Sequence, residues 1–336
     1  MRRVLVWAAA LARVVADPRY ASMCIAGASL SEKDRDGLVR RCALHVCSLL
    51  LTTAPAAPPL VLVAGLEQRH LQLLARAGAE TVQSPGIAPW NSSGLVWAAR
   101  PAALRGAAAP ARIYTYHKLH MWDPAVVRGA SRVAFVDSDA IYVRNASALL
   151  DTAATPAAFF LRDDCKPPNV AWDVWDPGIR IDGAVVKKAA AYWNTGVVVY
   201  EPDARVHADL WGLYATGDFA ALDPGAYVCE GDLLQTYYWR ASRGTRPHAL
   251  NAAWNFRGYK CSYADVARPS DIRVVHKEEK RAVAIIFESC EGGRPRGGDA
   301  KPAFLRSLLA SLDAGQCASP AAAARLRETC PDAASY

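Results

Sequence analysis

The chain lacks an apolar run long enough to cross a membrane. Its N-terminal apolar stretch, Val4 to Ala12, is cut by Arg13 and falls far short of the roughly 20 residues a spanning helix needs. No CxxC pair and no Cys-His metal spacing occurs among the nine cysteines, which sets zinc-ribbon and CxxC redox chemistry aside. Lysine and arginine are scattered rather than gathered in a stripe, which argues against a nucleic-acid surface. No internal repeat is present, which excludes a solenoid. Charge is sparse, at 21% against 52% hydrophobic residues, a globular composition and not a disordered one.

What remains is a chain of 336 residues, enough for a large buried core in one large α/β domain or two smaller ones. The 39 basic and 32 acidic side chains leave a net charge of +7, which suits a small anionic ligand. Arg2 and Arg3 precede the apolar stretch and Val14-Val15-Ala16 follows it, the order of a signal peptide. An irregular or helical extension over residues 1–18 fits as well. The compartment is therefore open between a secretory or Golgi lumen and the cytoplasm. Two sequons, Asn91-Ser92-Ser93 and Asn145-Ala146-Ser147, are usable in the lumen. Cys24, Cys42 and Cys47 lie in an apolar run and a helix and read as buried free thiols. Cys290, Cys317 and Cys330 lie near the C-terminus and can pair in an oxidising compartment.

Along the chain, strands and helices alternate. Tyr20 to Ile25 reads as a strand, and Ser31 with Asp34 forms a capping box opening a helix to about Leu51. Leu60 to Ala64 is an unbroken apolar strand, the mark of a parallel strand covered on both faces. Leu66 to Ala77 is helical, Gly78 stops it, and Glu80 to Gln83 is a short strand. This alternation predicts a parallel sheet with crossover helices. Arg112 to Trp122 reads as a helix, Arg132 to Val136 as a buried strand, Ile141 to Val143 as extended chain, and Val197 to Tyr200 as a strand. Amphipathic helices follow near residues 204–215 and 231–241. The Gly/Pro/Arg run from Glu291 to Gly298 breaks the pattern. Phe304 to Leu312 is one amphipathic helix beyond it, and the Ala-rich end reads as peripheral. The plan is an extension (1–18), a main domain (19–288) and a loop-rich C-terminal tail (289–336).

Asp137-Ser138-Asp139 directly follows the buried strand. In extended chain, residues i and i+2 project to one side with Cα atoms about 6.5 Å apart. Two carboxylates so placed reach one hard divalent cation. The C-terminal end of a parallel strand is also where open α/β sheets place ligands. The bland alternative is a pair of solvated turn acids.

Context narrows the choice. Tyr116-His117-Lys118-Leu119-His120-Met121-Trp122 lies upstream. Downstream come Trp193-Asn194-Thr195-Gly196-Val197, Glu230-Gly231-Asp232-Leu233-Leu234-Gln235, Leu250 to Asn255, and Arg273-Val274-Val275-His276. In this order, over about Tyr20 to Lys280, the segments resemble family 8 retaining glycosyltransferases, the group of glycogenin and galactinol synthase. The resemblance implies a GT-A fold: one mixed, mainly parallel Rossmann-like sheet with helices on both faces. It implies transfer of a hexose from a UDP-sugar, with Mn²⁺ or Mg²⁺, to a carbohydrate, polyol or protein hydroxyl. Asp137 and Asp139 match the metal-binding pair and His276 the third ligand, with Ser138 between the acids. Lys118 matches the lysine on the donor phosphates. Asn194, Thr195 and Gly196 match the segment lining the sugar and reaction centre, the glycine allowing close backbone approach. Asp232 matches the acid that holds the donor sugar at the reaction centre, and Asp163 or Asp164 a further sugar-binding acid. Ser22, Met23 and Cys24 fall on the strand that reads the base.

The chain departs from the family after His276. The expected glycine is absent from His276-Lys277-Glu278-Glu279-Lys280, and Lys280 stands two places early for the diphosphate lysine, with Lys277 the alternative. Leu233 stands where the family has glutamine. The segment from Cys165 to Tyr192 is long and carries Trp172 and Trp175 among acids; it is either a sugar-holding loop or one packed by its own tryptophans. Two other functions stay open: a nucleotide-sugar-binding homologue without turnover, and a haloacid-dehalogenase-type phosphatase with Asp137 as nucleophile and Asp139 as acid.

Overall fold

The structure is a computed structural model. It describes residues 17–27, 30–87, 114–152, 156–160, 179–181, 184–186, 193–216, 230–241, 248–256, 266, 268–276, 285–286, 290 and 302–330. The first third forms β1 (Arg19–Ile25), α1 (Glu32–Thr53), β2 (Leu60–Ala64), α2 (Gln68–Arg76) and β3 (Glu80–Gln83). β1 pairs in parallel with β2, and β2 with β3, as the alternation predicts. A 3₁₀ helix over Tyr114–Trp122 stands where a helix from Arg112 to Trp122 was expected, with residues 112 and 113 outside the described ones. Then come β4 (Val133–Val136), β5 (Ala140–Tyr142), β6 (Ala157–Phe160), β7 (Ile179–Ile181), β8 (Ala184–Val186) and β9 (Trp193–Tyr200). The helices α3 (Ala204–Thr216) and α4 (Glu230–Ala241) precede β10 (His248–Ala249) and β11 (Val274–His276). The chain ends with α5 (Ala303–Asp313) and α6 (Pro320–Thr329).

The main sheet has the order β10-β6-β9-β4-β1-β2-β3. β9 runs antiparallel to both of its neighbours, so the sheet is mixed and mainly parallel. Its strands are covered on both faces, and the sequence alternation assigns each residue to a face. Leu60 and Leu62 pack with Phe135, Trp122, Leu210 and Leu234 on one side. Val61 and Val63 pack with α1, Leu74 of α2, and Phe304 and Leu326 of the C-terminal helices on the other. Each such buried aliphatic side chain contributes on the order of 1.5–3 kcal/mol. No helix among the described residues is long and apolar enough to cross a membrane.

α1 is the hub of the second face. Ser31 caps it by accepting a hydrogen bond from the Asp34 N–H at 3.2 Å, satisfying one orphan donor of the first turn. Its 22 residues end at Ala54, which turns into the left-handed region at φ 48°. Cys42 is bonded to Cys24 of β1, and Cys47 to Cys317 between α5 and α6. Cys290 is bonded to Cys330. The free-thiol reading of Cys24, Cys42 and Cys47 is thus corrected: burial alone does not distinguish a thiol from half of a disulfide. The Ala-rich end is not peripheral either. α6 buries Ala322, Ala323 and Leu326 in the α1 core, and it is a second helix where one was expected.

Candidate metal and donor site

Three segments meet at the C-terminal edge of the parallel strands. β4 ends at Val136, and Asp137 donates its N–H to the Gly196 carbonyl of β9 at 2.8 Å. The Ala140 N–H then returns to the Asp137 carbonyl at 3.0 Å. Asp137-Ser138-Asp139 is therefore a tight turn, not the extended chain assumed above; the turn, rather than strand alternation, brings the two carboxylates together. β5 leaves the turn and pairs antiparallel with β11, which sets His276 opposite Ala140. One ligand atom from each of Asp137, Asp139 and His276 lies within 4.8 Å of the others, the three-ligand grouping that the resemblance implies.

A chain of hydrogen bonds orients His276. The Gly196 N–H donates to Asn194 Oδ1 at 3.1 Å, which fixes the Asn194 oxygen there. Asn255 must then offer its NH₂ to the same oxygen, and Nδ2 does so at 2.8 Å. The Asn255 oxygen is left facing His276 Nδ1 at 2.6 Å and can only accept, so Nδ1 carries the proton. In the neutral ring Nε2 then carries the lone pair. Nε2 lies 3.1 Å from Asp139 Oδ1 and 3.7 Å from Asp137 Oδ2, yet it is buried without a hydrogen bond. Two carboxylates and an imidazole nitrogen converge on one point, a donor set that suits a divalent cation.

α1 supports the turn from behind. His45 Nδ1 donates to the Ala140 carbonyl at 2.8 Å, and Ser48 Oγ accepts the Tyr142 N–H at 3.1 Å. Burial holds the His45 pKa down to about 4, against the hydrogen bond to Ala140 and the pull of Asp139 and Asp137, with a small further push from His276.

Lys118, from the 3₁₀ helix, is buried beside the turn. Its Nζ lies 2.9 Å from Asp137 Oδ1 and 2.8 Å from Glu230 Oε1, and 5.3 Å from the centroid of the Phe135 ring. Thr195 Oγ1 donates to the same Glu230 oxygen at 2.8 Å. Burial alone would lower the lysine pKa, but Asp137 and Glu230 outweigh it and raise it. Burial alone would raise the Glu230 pKa, but Lys118 lowers it, with hydrogen bonds from Thr115 and Thr195. The pair is ionised and locked.

Sequence reasoning placed Asp137, Asp139, Asn194, Thr195, Gly196, Lys118 and His276 in one site, and the structure brings them together. Two residues were missed as site members. Glu230 opens α4, where the positive helix end favours an acid, and that position was its only sequence signal. Asn255 has no sequence signal separating it from Asn251, four residues before it. Asp232 lies two residues beyond Glu230 on α4, and its side chain is outside the described residues, as are Asp163, Asp164, Lys277 and Lys280. Ser22 and Met23 lie on β1, but the Cys24 sulfur is tied to Cys42 in the core. Only its backbone is left for a nucleotide contact.

Gly196 also packs against His276. A Cβ there would run into Cε1 and Nδ1 of His276 and lie 2.8 Å from Asn194 Oδ1. The glycine makes room for the imidazole ring. Gly196→Ala is expected to cost about 1–3 kcal/mol by overpacking and to weaken metal affinity by about 10–100-fold as His276 shifts. Denaturant unfolding and calorimetric Mn²⁺ titration of the variant check this; unchanged affinity would refute it.

The same 3₁₀ helix carries a pH-sensitive group. His117 Nδ1 shares a hydrogen bond with the Ser84 hydroxyl at 2.6 Å, and burial, with a smaller push from His120, lowers its pKa to about 4. An unfolded histidine titrates near 6.5. Between about pH 6.5 and 4 the unfolded chain binds the proton and the folded chain does not. Stability therefore falls as pH drops through that window, by up to about 3 kcal/mol from this group. His117→Gln should flatten part of that decline in urea unfolding at pH 7.5 and 4.5. An identical slope in parent and variant would contradict the assignment.

Neither a protein-family model nor a curated protein matches the chain. Several solved structures are similar to it in fold at low identity. The galactosyltransferase LgtC, in complex with donor and acceptor sugar analogs, is 12% identical, with 84% of this chain and 98% of that chain covered and a TM-score of 0.47. Mouse xyloside xylosyltransferase 1 is 13% identical, with 79% of this chain and 98% of that chain covered and a TM-score of 0.47. The bifunctional glycosyltransferase WbbM is 12% identical, with 85% of this chain and 47% of that chain covered and a TM-score of 0.48.

Proposed function

We propose that this chain is a GT-A-type glycosyltransferase that moves a hexose from a UDP-sugar to an acceptor hydroxyl, with Mn²⁺ and with retention at the anomeric carbon. The observation that carries the reading is the buried His276 Nε2, without a hydrogen bond, aimed at Asp137 and Asp139 beside the sheet edge. Asp137, Asp139 and His276 would hold the cation, which neutralises charge on the donor diphosphate as the sugar–phosphate bond breaks.

The chain's own residues supply the rest. Asn255, held by Asn194, orients His276 through Nδ1 so that Nε2 faces the two aspartates. Lys118 holds Asp137 in place and brings positive charge to the edge where the phosphates would lie. Asn194 Oδ1 is already engaged, so its NH₂ is the group open to a sugar hydroxyl or to the leaving oxygen. No protein nucleophile is assigned. The acceptor hydroxyl attacks on the leaving-group face and its proton passes to the departing diphosphate.

The test is turnover of UDP-glucose, UDP-galactose and related donors with and without Mn²⁺, read as UDP release. Release that needs the metal is expected. A folded protein that turns over no donor in the panel would overturn the reading, and UDP binding without release would make it a binding protein instead.

A further inference from the structure

Asn145 lies at the opposite end of β5 from the metal-binding turn, in the link to a short 3₁₀ helix over Ser147–Leu149. Asn145 and Ser147 are exposed. The backbone between them is pinned: the Ala146 N–H donates to Thr53 Oγ1 at 3.1 Å, and the Ala146 carbonyl accepts from the Tyr20 hydroxyl at 2.7 Å. Asn145 Oδ1 accepts the Ser147 N–H at 2.8 Å, which leaves the amide nitrogen as the end directed away from the backbone. Asn145-Ala146-Ser147 is thus a sequon on a surface loop, without proline at its centre.

A sequon alone arises often by chance. The independent observation is the set of three disulfides, Cys24–Cys42, Cys47–Cys317 and Cys290–Cys330. Cys24, Cys42, Cys47, Cys317 and Cys330 are all buried in one core cluster, where they join β1, α1 and the C-terminal helices. Cross-links built into a core in this way belong to chains that fold in an oxidising compartment. The lumen that forms them is also where asparagine is glycosylated.

We propose that Asn145 carries an N-linked glycan, added in an oxidising secretory lumen where the three disulfides form. The donor class is a lipid-linked diphospho-oligosaccharide. The Asn145 Nδ2 forms the bond to the sugar C1, the C1–O bond to the diphosphate breaks, Nδ2 loses a proton, and the lipid diphosphate leaves. The glycan stands beside the cleft lined by Thr52, Leu326 and Arg327, against α6. The site does not depend on the transferase reading.

The test is expression of the full chain behind a secretion leader in cultured eukaryotic cells, then enzymatic deglycosylation in heavy-oxygen water and mass mapping of non-reduced peptides. The expected result is conversion of Asn145 to heavy-oxygen aspartate in most molecules, with the three disulfide-linked peptide pairs present. Asn145→Gln should lower the whole-protein mass by one glycan. If that variant does not fold, Ser147→Ala removes the sequon while keeping the backbone bond to Asn145, and should show the same loss. Recovery of unmodified Asn145, label at Asn91 alone, or alkylation of Cys24, Cys42 and Cys47 as free thiols in the folded protein would overturn the proposal.

Discussion

Asp139→Ala is expected to abolish metal-dependent UDP release, by a factor of at least about 10²–10³, while leaving the fold intact. The two halves of that expectation have separate causes. Asp139 is 41% exposed and sits on a turn whose backbone is held by Gly196, Ala140 and His45, none of which needs its carboxylate. Without a cation, Asp137 and Asp139 also repel each other across the turn, which offsets what the Asp139 carboxylate contributes through its other contacts, so the metal-free variant should melt close to the parent. With Mn²⁺, the parent should gain stability and the variant should not. His276→Ala would also remove a ligand, but His276 is 1% exposed and its loss leaves the Asn255 oxygen buried without a donor, at a cost of about 1–3 kcal/mol. The aspartate is the cleaner probe. Calorimetric Mn²⁺ titration and steady-state rates check the pair of effects; retained affinity with lost rate would place Asp139 in the reaction but outside the metal shell.

Lys118→Met is expected to be the costliest single change in stability, at about 3–5 kcal/mol. Its ammonium is 5% exposed and faces Asp137 and the equally buried Glu230. Removing it leaves Glu230, with a side chain 5% exposed, as a buried carboxylate whose remaining partners are hydroxyls. Such a group either pays the desolvation of its charge or takes up a proton. Glu230 now has a lowered pKa and contributes stability that is present above the unfolded carboxylate range and lost as pH falls through its folded value. In Lys118→Met that dependence should reverse, with stability rising on acidification as the uncompensated Glu230 is protonated. The double variant Lys118→Met/Glu230→Gln should recover part of the loss at pH 7. Urea unfolding of the two variants decides it: a loss below about 1 kcal/mol, or a double variant less stable than the single, would show that the pair is not the closed unit described.

The sheet was readable because its strands obey simple rules. Leu60 to Ala64 is apolar at every position, which only a doubly covered strand tolerates, and β2 lies between β1 and β3 as that requires. The antiparallel insertion of β9 was not readable, since Val197 to Val199 would be equally apolar in either direction. In the site, Asp137 and Asp139 stood out by type and spacing. Their mode of convergence did not, because a turn and an extended strand share the same Asp-Ser-Asp. Glu230 and Asn255 act only through partners more than 20 residues away in sequence, Lys118 and Thr195 for one and His276 for the other. Nothing local marks such residues. Pairing among Cys290, Cys317 and Cys330 was allowed, and Cys290–Cys330 forms, but the Cys47–Cys317 bond joins residues 270 positions apart and nothing local marks it.

The measurement closest to the central claim is a thermal-shift titration of UDP-sugars with and without Mn²⁺, run on the parent and on Asp139→Ala. A ligand that binds only the folded state at a hundred times its Kd adds about 2.7 kcal/mol and must raise the melting temperature. The site described here predicts a rise in the parent that needs Mn²⁺ and UDP-sugar together and is lost in Asp139→Ala. A parent that no UDP-sugar shifts in the presence of Mn²⁺, or an equal shift in Asp139→Ala, would contradict it.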